Sequence, residues 1–249
     1  MKNYIAKKLM NLGHKMSDNH NDLSWALPES SQAEREIIKS ARNFTSSTEV
    51  AQWAFIQAIK HIERDNVAGD IVECGVWKGG NLIIASLMRK HMGFNRKIWG
   101  YDTFAGMTEP SEFDVKPGFS VNAREKFKAL AKGNVVDWCY IPIENVKEAL
   151  RSICGEVDVK LVKGDVRETL TDNRNIPENI GILRLDTDFY ESTKVELEVL
   201  YPRVSSGGVV IVDDYGIWQG SKKAVDEYFG SDLPWLHYIN RGVRLFIKP

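Results

Sequence analysis

Gly69-Asp70-Ile71-Val72-Glu73-Cys74-Gly75-Val76-Trp77-Lys78-Gly79-Gly80 is the stretch that decides the fold. Upstream of it, Val50, Trp53, Ala54, Ile56 and Ile59 recur at helical spacing, and Gly69-Asp70 ends that pattern. Ile71-Val72 then opens a short apolar strand, and Gly75, Gly79 and Gly80 follow it at once. The stretch therefore reads as helix, strand, tight turn and helix, with glycines that let the backbone come close to a ligand. The spacing is not GxGxxG, which makes it a poor cradle for a dinucleotide pyrophosphate. Glu73 at the strand end is also a poor neighbour for phosphate, but it suits a cationic amino group.

Downstream the chain alternates. Short β-branched runs at 97–101, 159–162, 182–185 and 209–212 read as strands, and 81–91, 122–131, 146–153, 192–200 and 222–229 read as helices. Charges inside these strands are few, Arg184 among them, a pattern that fits a parallel sheet covered on both faces. Residues 235–240 and 243–247, around Arg241-Gly242, read as a terminal antiparallel hairpin. The expected fold is α/β: a doubly wound, mostly parallel sheet with an antiparallel C-terminal hairpin. Residues 1–47 are polar and mixed, with apolar clusters at 4–12 and around Trp25, and read as an N-terminal arm of loosely packed helices. Residues 48–249 form the main domain, within which 105–140, carrying Pro110, Phe113, Pro117 and Gly118, reads as a lid or acceptor-binding insertion.

Composition narrows the function. The chain has 249 residues, 43% hydrophobic and 27% charged, which is ordinary for a globular protein and excludes collagen-like and wholly disordered classes. Lys+Arg 33 against Asp+Glu 34 gives a formal net charge of −1, so no net basic field draws in nucleic acid or an anionic membrane. Cys74, Cys139 and Cys154 are too scattered for a disulfide framework or zinc cluster and read as reduced, buried thiols. No apolar run approaches the ~20 residues of a membrane span, and residues 1–8 lack the apolar core of a signal peptide. The expectation is a soluble, cytoplasmic protein that acts on a small molecule, with neither nucleic acid nor membrane as partner.

In open parallel sheets ligands sit beyond the carboxyl ends of the strands. Asp102 follows the second strand, one strand–helix–strand step of about 30 residues after Glu73, where an acid accepts hydrogen bonds from ribose hydroxyls. Gly164-Asp165 follows the third strand, where an adenine edge would lie. A nucleoside with an amino-acid tail joins these positions, which describes S-adenosyl-L-methionine. Asp186 and Asp188 follow the fourth strand, and Asp213-Asp214 the fifth. If those strands are neighbours, four carboxylates converge, and a hard divalent cation with oxygen ligands, Mg2+ by default, relieves their repulsion. No Cys or His lies near them in sequence, which argues against zinc.

These segments, together with Leu183-Arg184-Leu185-Asp186-Thr187-Asp188-Phe189-Tyr190-Glu191-Ser192-Thr193, Leu200-Tyr201-Pro202-Arg203, Gly207-Gly208-Val209-Val210-Ile211-Val212-Asp213-Asp214-Tyr215-Gly216 and Ala224-Val225-Asp226, resemble the macrocin O-methyltransferase family. The resemblance runs from about Thr45 to Phe229; the N-terminal arm and 105–140 match poorly. It implies a class I methyltransferase fold, S-adenosylmethionine as donor, Mg2+ held by aspartates and a sugar hydroxyl as acceptor, on a nucleotide-sugar, a surface-polysaccharide sugar or a glycosylated natural product. It further implies Asp186, Asp213 and Asp214 as metal ligands and Asp188 as general base. Thr45, Glu73, Gly75, Trp77, Gly79, Gly80, Asp102, Thr103, Phe104, Gly164, Asp165 and Asp186 are implied for the donor site. Catechol-type relatives carry a lysine three residues after the first metal Asp, where this chain has Phe189. The chain also has Thr103-Phe104-Ala105-Gly106-Met107-Thr108 in place of the family's Ser-Phe-Glu-Gly-Leu-Pro, and Asp165 where relatives often carry an aromatic. Tyr190, Tyr215 and Trp218 fit either stacking on a sugar face or ordinary packing. The alternatives are a catechol or phenol O-methyltransferase and a non-catalytic donor-binding protein; family habit also implies a homodimer formed through the arm.

Overall fold

The protein is described as a computed structural model over residues 23–118 and 122–249, so the apolar cluster at 4–12 lies outside the described residues. Its strands are β1 (Asp70–Cys74), β2 (Ile98–Asp102), the two-residue β3 (Ala131–Lys132) and β4 (Val135–Val136), β5 (Val159–Lys163), β6 (Ile180–Leu185), β7 (Val204–Val212), β8 (His237–Tyr238) and β9 (Arg244–Ile247). Its helices are α1 (Leu23–Ala26), α2 (Gln32–Ala41), α3 (Glu49–Arg64), α4 (Gly80–Met92), α5 (Ala123–Leu130), α6 (Ile143–Cys154), α7 (Val166–Thr169), α8 (Tyr190–Leu200) and α9 (Gln219–Phe229).

Seven strands form one sheet in the order β5-β2-β1-β6-β7-β9-β8. The first five run parallel, and β9 pairs antiparallel with both β7 and β8. This is the α/β architecture with an antiparallel C-terminal hairpin that the alternating pattern predicts. The period of two along each strand sends alternate side chains to opposite faces. Ile71, Ile98, Ile182 and Val209 pack with Ile38, Phe55, Ile59 and Ile83 on one side. Val72, Trp99, Leu183 and Val210 pack with Leu197, Leu200 and Val225 on the other. Each fully buried aliphatic side chain contributes roughly 1.5–3 kcal/mol, so both helical layers are held by the same strands.

Several features refine the expectation. β7 begins at Val204 rather than 209, because Ser205-Ser206-Gly207-Gly208 carries no apolar signal although Val204 pairs with Ile180. Residues 23–44 are not loosely packed: Ser31 and Glu34 close a capping box on α2, which buries Ile37, Ile38 and Ala41 in the main core. Within the 105–118 stretch, Asp114 is buried. Its carboxylate accepts from Ser111 N at 2.6 Å and from Tyr190 N at 2.8 Å, which ties this stretch to the first turn of α8. Of the three cysteines, Cys74 and Cys154 are buried as expected, whereas Cys139 is exposed.

Glu196 sits on the buried side of α8, accepting from Thr187 Oγ1 at 2.9 Å while its other oxygen has no partner. Burial lifts its pKa from 4.5 to about 8. The folded chain therefore keeps a proton that the unfolded chain has lost, and stability falls as pH climbs from about 4.5 towards 8. Glu196→Gln removes that penalty. Its melting temperature is expected to exceed the native one clearly near pH 9 and little near pH 5. An equal gain at both pH values would show Glu196 ionised in the fold.

Candidate active site

A cavity of about 550 Å3 opens at the carboxyl ends of the parallel strands, within the range of small-molecule sites. Thr45, Glu73, Gly75, Trp77, Gly80, Asp102, Thr103, Gly164, Asp165, Asp186, Asp188, Asp213 and Asp214 all line it. Gly79 and Phe104 do not. Gly79 takes a left-handed φ of 89° as the N-cap of α4, and a Cβ there would face Val146. Phe104 is buried and contributes its backbone N–H to Asp102 at 2.7 Å. A larger, shallower groove of about 1040 Å3 between α3 and the terminal hairpin holds none of the strand-end carboxylates.

Backbone close approach shapes the cavity. Gly75 has φ 88°, and a Cβ there would stand 1.9 Å from the carbonyl oxygen of Asp186, so only glycine lets the β1 turn lie against the end of β6. Gly80 likewise gives room to Thr45, whose Cβ lies 2.5 Å from the place a side chain would take. Asp102 organises both turns beside it. Its Oδ2 accepts from Val76 N and Trp77 N, each at 2.9 Å, and its Oδ1 from Phe104 N. Burial raises the Asp102 pKa, with those backbone donors opposing the rise. Asp165 caps α7 through Arg167 N at 2.9 Å and is held by the Arg167 guanidinium.

Arg184 was legible in the sequence as a charge inside a strand, but not as the hub it forms. Its side chain is 3% exposed and pairs with Glu73 at 3.0 Å, with Asp186, and with Asp213 at 2.5 Å. Ser47 Oγ accepts from the same guanidinium at 3.1 Å. Register explains the meeting, since Glu73 on β1 lies directly opposite Arg184 on β6. Glu73 Oε1 also accepts from Asn81 at 2.8 Å, whereas its Oε2 is buried without a partner. Burial lifts Glu73 to about 7, against the pull of Arg184.

One oxygen each from Asp186, Asp213 and Asp214 lies within 4.8 Å of the others. Asp186 and Asp213 remain 26% and 20% open towards the cavity, and Asp214 Oδ2 is buried with no donor to meet it. Burial raises the pKa of Asp186 and Asp214, with the neighbouring carboxylates adding to the rise. Asp188 stands beside them at a φ of 66°, a left-handed conformation rare outside glycine. Burial pushes its pKa up as well, opposed in part by the neighbouring Asp214 and by the charge of Lys116.

Aromatic side chains form the remaining wall. Trp218 lines the cavity, but Tyr190 and Tyr215 turn away and donate to Glu227 and Asp226, each at 2.7 Å. Trp138 joins the wall, its ring 6.2 Å from that of Trp218 and 5.8 Å from that of Phe189. Trp138, Lys116, Lys126, Asn81 and Ser47 escaped the sequence reading although they line the cavity. Trp138 and Lys116 lie in stretches without periodicity, and Lys126 lies on the helix read at 122–131, whose pattern did not show which side faces a ligand.

Parallel strands in this order, closed by an antiparallel hairpin, form an α/β fold of the class I methyltransferase type. Residues 34–232 match the macrocin-O-methyltransferase (TylF) family, and the chain belongs to it. It is 36% identical over 175 residues to the demethyldecarbamoylnovobiocin O-methyltransferase of Streptomyces niveus, covering 69% of this chain and 62% of that protein. It is 35% identical over 176 residues to the 8-demethyl-8-(2,3-dimethoxy-alpha-L-rhamnosyl)-tetracenomycin-C 4'-O-methyltransferase of Streptomyces olivaceus, with 69% and 62% covered. The chain thus matches less than two thirds of the length of either relative. Among solved structures it is similar to the O-methyltransferase NovP, with a TM-score of 0.69, 29% identity and 82% of each chain covered. The calicheamicin methyltransferase CalS11 shares the fold at a TM-score of 0.61 and 23% identity, with 88% of this chain and 93% of that one covered.

Removing Arg184 strips buried Glu73 and half-buried Asp186 and Asp213 of their shared counter-ion. Breaking a buried pair in this way costs about 3–5 kcal/mol, so Arg184→Leu is expected to lower the denaturant midpoint sharply. A midpoint equal to that of the unmodified protein would show that the cluster does not depend on the guanidinium.

Proposed function

We propose that the protein is an S-adenosylmethionine-dependent, Mg2+-dependent O-methyltransferase acting on a sugar hydroxyl. The observation that carries this reading is the convergence of Asp186, Asp213 and Asp214 beside an unpartnered oxygen of Glu73 in one cavity. Two buried acceptors, Glu73 Oε2 and Asp214 Oδ2, lack donors, and an all-oxygen set of three carboxylates suits a hard cation. Glu73 then takes the ammonium of the donor's methionine, Asp102 the ribose, and Gly164 with Asp165 the adenine end; Thr45 closes over the methionine. Names carried by the relatives, which act on novobiocin- and tetracenomycin-type compounds, support a glycosylated or otherwise sugar-bearing acceptor. The same reading takes the protein as cytoplasmic, and as a homodimer on family habit and the apolar clusters in its N-terminal arm.

A bound Mg2+ would supply Lewis acidity that eases deprotonation of an adjacent hydroxyl. Asp188 receives that proton on its carboxylate. Burial raises its affinity for the proton. In the transfer an O–CH3 bond forms as the S–CH3 bond of the donor breaks, so alignment of the two reactants is the rest of the task. Trp138 and Trp218 offer the apolar faces against which a sugar ring stacks. Phe189, at the position of the catechol-type lysine, is buried and has no proton to exchange.

Asp188→Asn keeps the shape of the base without its basicity, and a lost general base costs about 10²–10⁴ in rate. The variant is expected to bind donor and Mg2+ but turn over at that reduced rate; retained turnover would remove Asp188 from the mechanism. EDTA is expected to abolish methyl transfer while S-adenosylhomocysteine still binds.

Donor affinity also reports on Glu73. Its carboxylate gains charge as pH rises through about 7, so donor binding measured by calorimetry is expected to tighten from pH ~6 to ~8. Glu73→Gln is expected to bind more weakly and to flatten that profile. A slope that survives the substitution would assign the ammonium to another group.

A further inference from the structure

The cavity has an acidic floor and a basic flank. Lys116 and Lys126, both half-buried, line it along with the strand-end carboxylates. Each ammonium lies over an indole: Lys116 Nζ is 5.1 Å from the Trp218 ring centre, and Lys126 Nζ is 4.0 Å from that of Trp138. The two rings are themselves 6.2 Å apart, so a pair of cations sits on one aromatic wall. Lys126 forms no ion pair with a carboxylate among the described residues. Lys116 is near enough to Asp188 to lower its pKa.

We propose that this flank binds phosphate, and that the methyl acceptor is a phosphate-linked sugar, either a sugar 1-phosphate or a nucleoside diphosphate sugar. This rests on the sugar-methylation reading and narrows it. Hydroxyls of the acceptor face Asp186, Asp188, Asp213 and Asp214, the ring lies against Trp138 and Trp218, and the phosphate meets the two ammonium groups. A neutral glycoside would cover the Lys126 ammonium without supplying an anion, at the cost of desolvating it. A phosphate oxygen replaces the lost water with a charge-assisted hydrogen bond. Stacking on the indoles holds each ammonium towards the cavity rather than out in solvent.

The test has a binding arm and a turnover arm. For binding, uridine 5′-diphosphate and inorganic pyrophosphate are titrated calorimetrically into protein saturated with S-adenosylhomocysteine, with EDTA present to keep cations off the probes. Saturable binding that weakens at least ~10-fold in the Lys116→Gln/Lys126→Gln double variant is expected, with circular dichroism and thermal melting confirming its fold. Absence of binding, or binding that the double variant leaves intact, overturns the proposal. For turnover, sugar 1-phosphates, nucleoside diphosphate sugars and neutral glycosides of the same sugars compete for labelled methyl groups. A kcat/KM preference of at least ~10-fold for phosphorylated acceptors, shrinking towards unity in the double variant, is expected. The arm that prevails separates the monophosphate from the nucleotide form. Equal or better use of neutral glycosides overturns the proposal and leaves the sugar reading standing. Lysine-dependent diphosphate binding with no sugar methylated at all sustains the anion site and removes the sugar reading.

Discussion

One buried guanidinium sets the terms for everything at the carboxyl end of the sheet. Arg184 projects from the central strand β6 into contact with Glu73 from β1 and with Asp186 and Asp213 beyond β6 and β7. Unit charges about 4 Å apart attract by about 4 kcal/mol at an effective dielectric of 20, so three carboxylates around one cation are strongly held. The same arithmetic makes them repel one another when that cation is missing. Because each partner comes from a different strand end, the guanidinium fixes the spacing of β1, β6 and β7 where the ligand cavity opens.

Charge balance then explains the character of the cavity. Arg184 can neutralise only one of its three carboxylates, and Asp188 and Asp214 add further negative charge beside them. Burial drives several of these groups to retain protons, the ordinary response of acids that lack counter-charge. A divalent cation and a ligand ammonium satisfy the same deficit without protonation. The turns around them are committed to the arrangement: Gly75 lets Asp186 come close, and Asp102 gathers three backbone N–H groups from two loops.

Much of this was legible in the chain itself. Alternating β-branched runs and helical periods gave the sheet and its hairpin, and acids placed just after strands marked the cavity before any coordinate did. Side-chain direction was not legible. Gly79 and Phe104 sit in the correct turns, yet one serves as a helix cap and the other is buried behind the loop. Arg184 read only as an interruption of an apolar strand, because its partners are adjacent solely through the β1–β6 pairing. The Ser31-x-x-Glu34 capping box was present in the sequence, but the polar content around it masked Ile37 and Ile38, which complete the core. Trp138 and Lys116 belong to stretches with no period, and Lys126 to a short helix, α5, that tertiary contacts alone turn towards the cavity.

The most direct test of the strand-end cation site is a Mn2+ titration followed by electron paramagnetic resonance, run on metal-free protein with and without S-adenosylhomocysteine. One saturable Mn2+ per chain is expected, lost on Asp213→Asn, with line broadening that places oxygen ligands around the ion. Mn2+ that binds without saturation, or just as tightly to Asp213→Asn, would contradict a cation held by Asp186, Asp213 and Asp214.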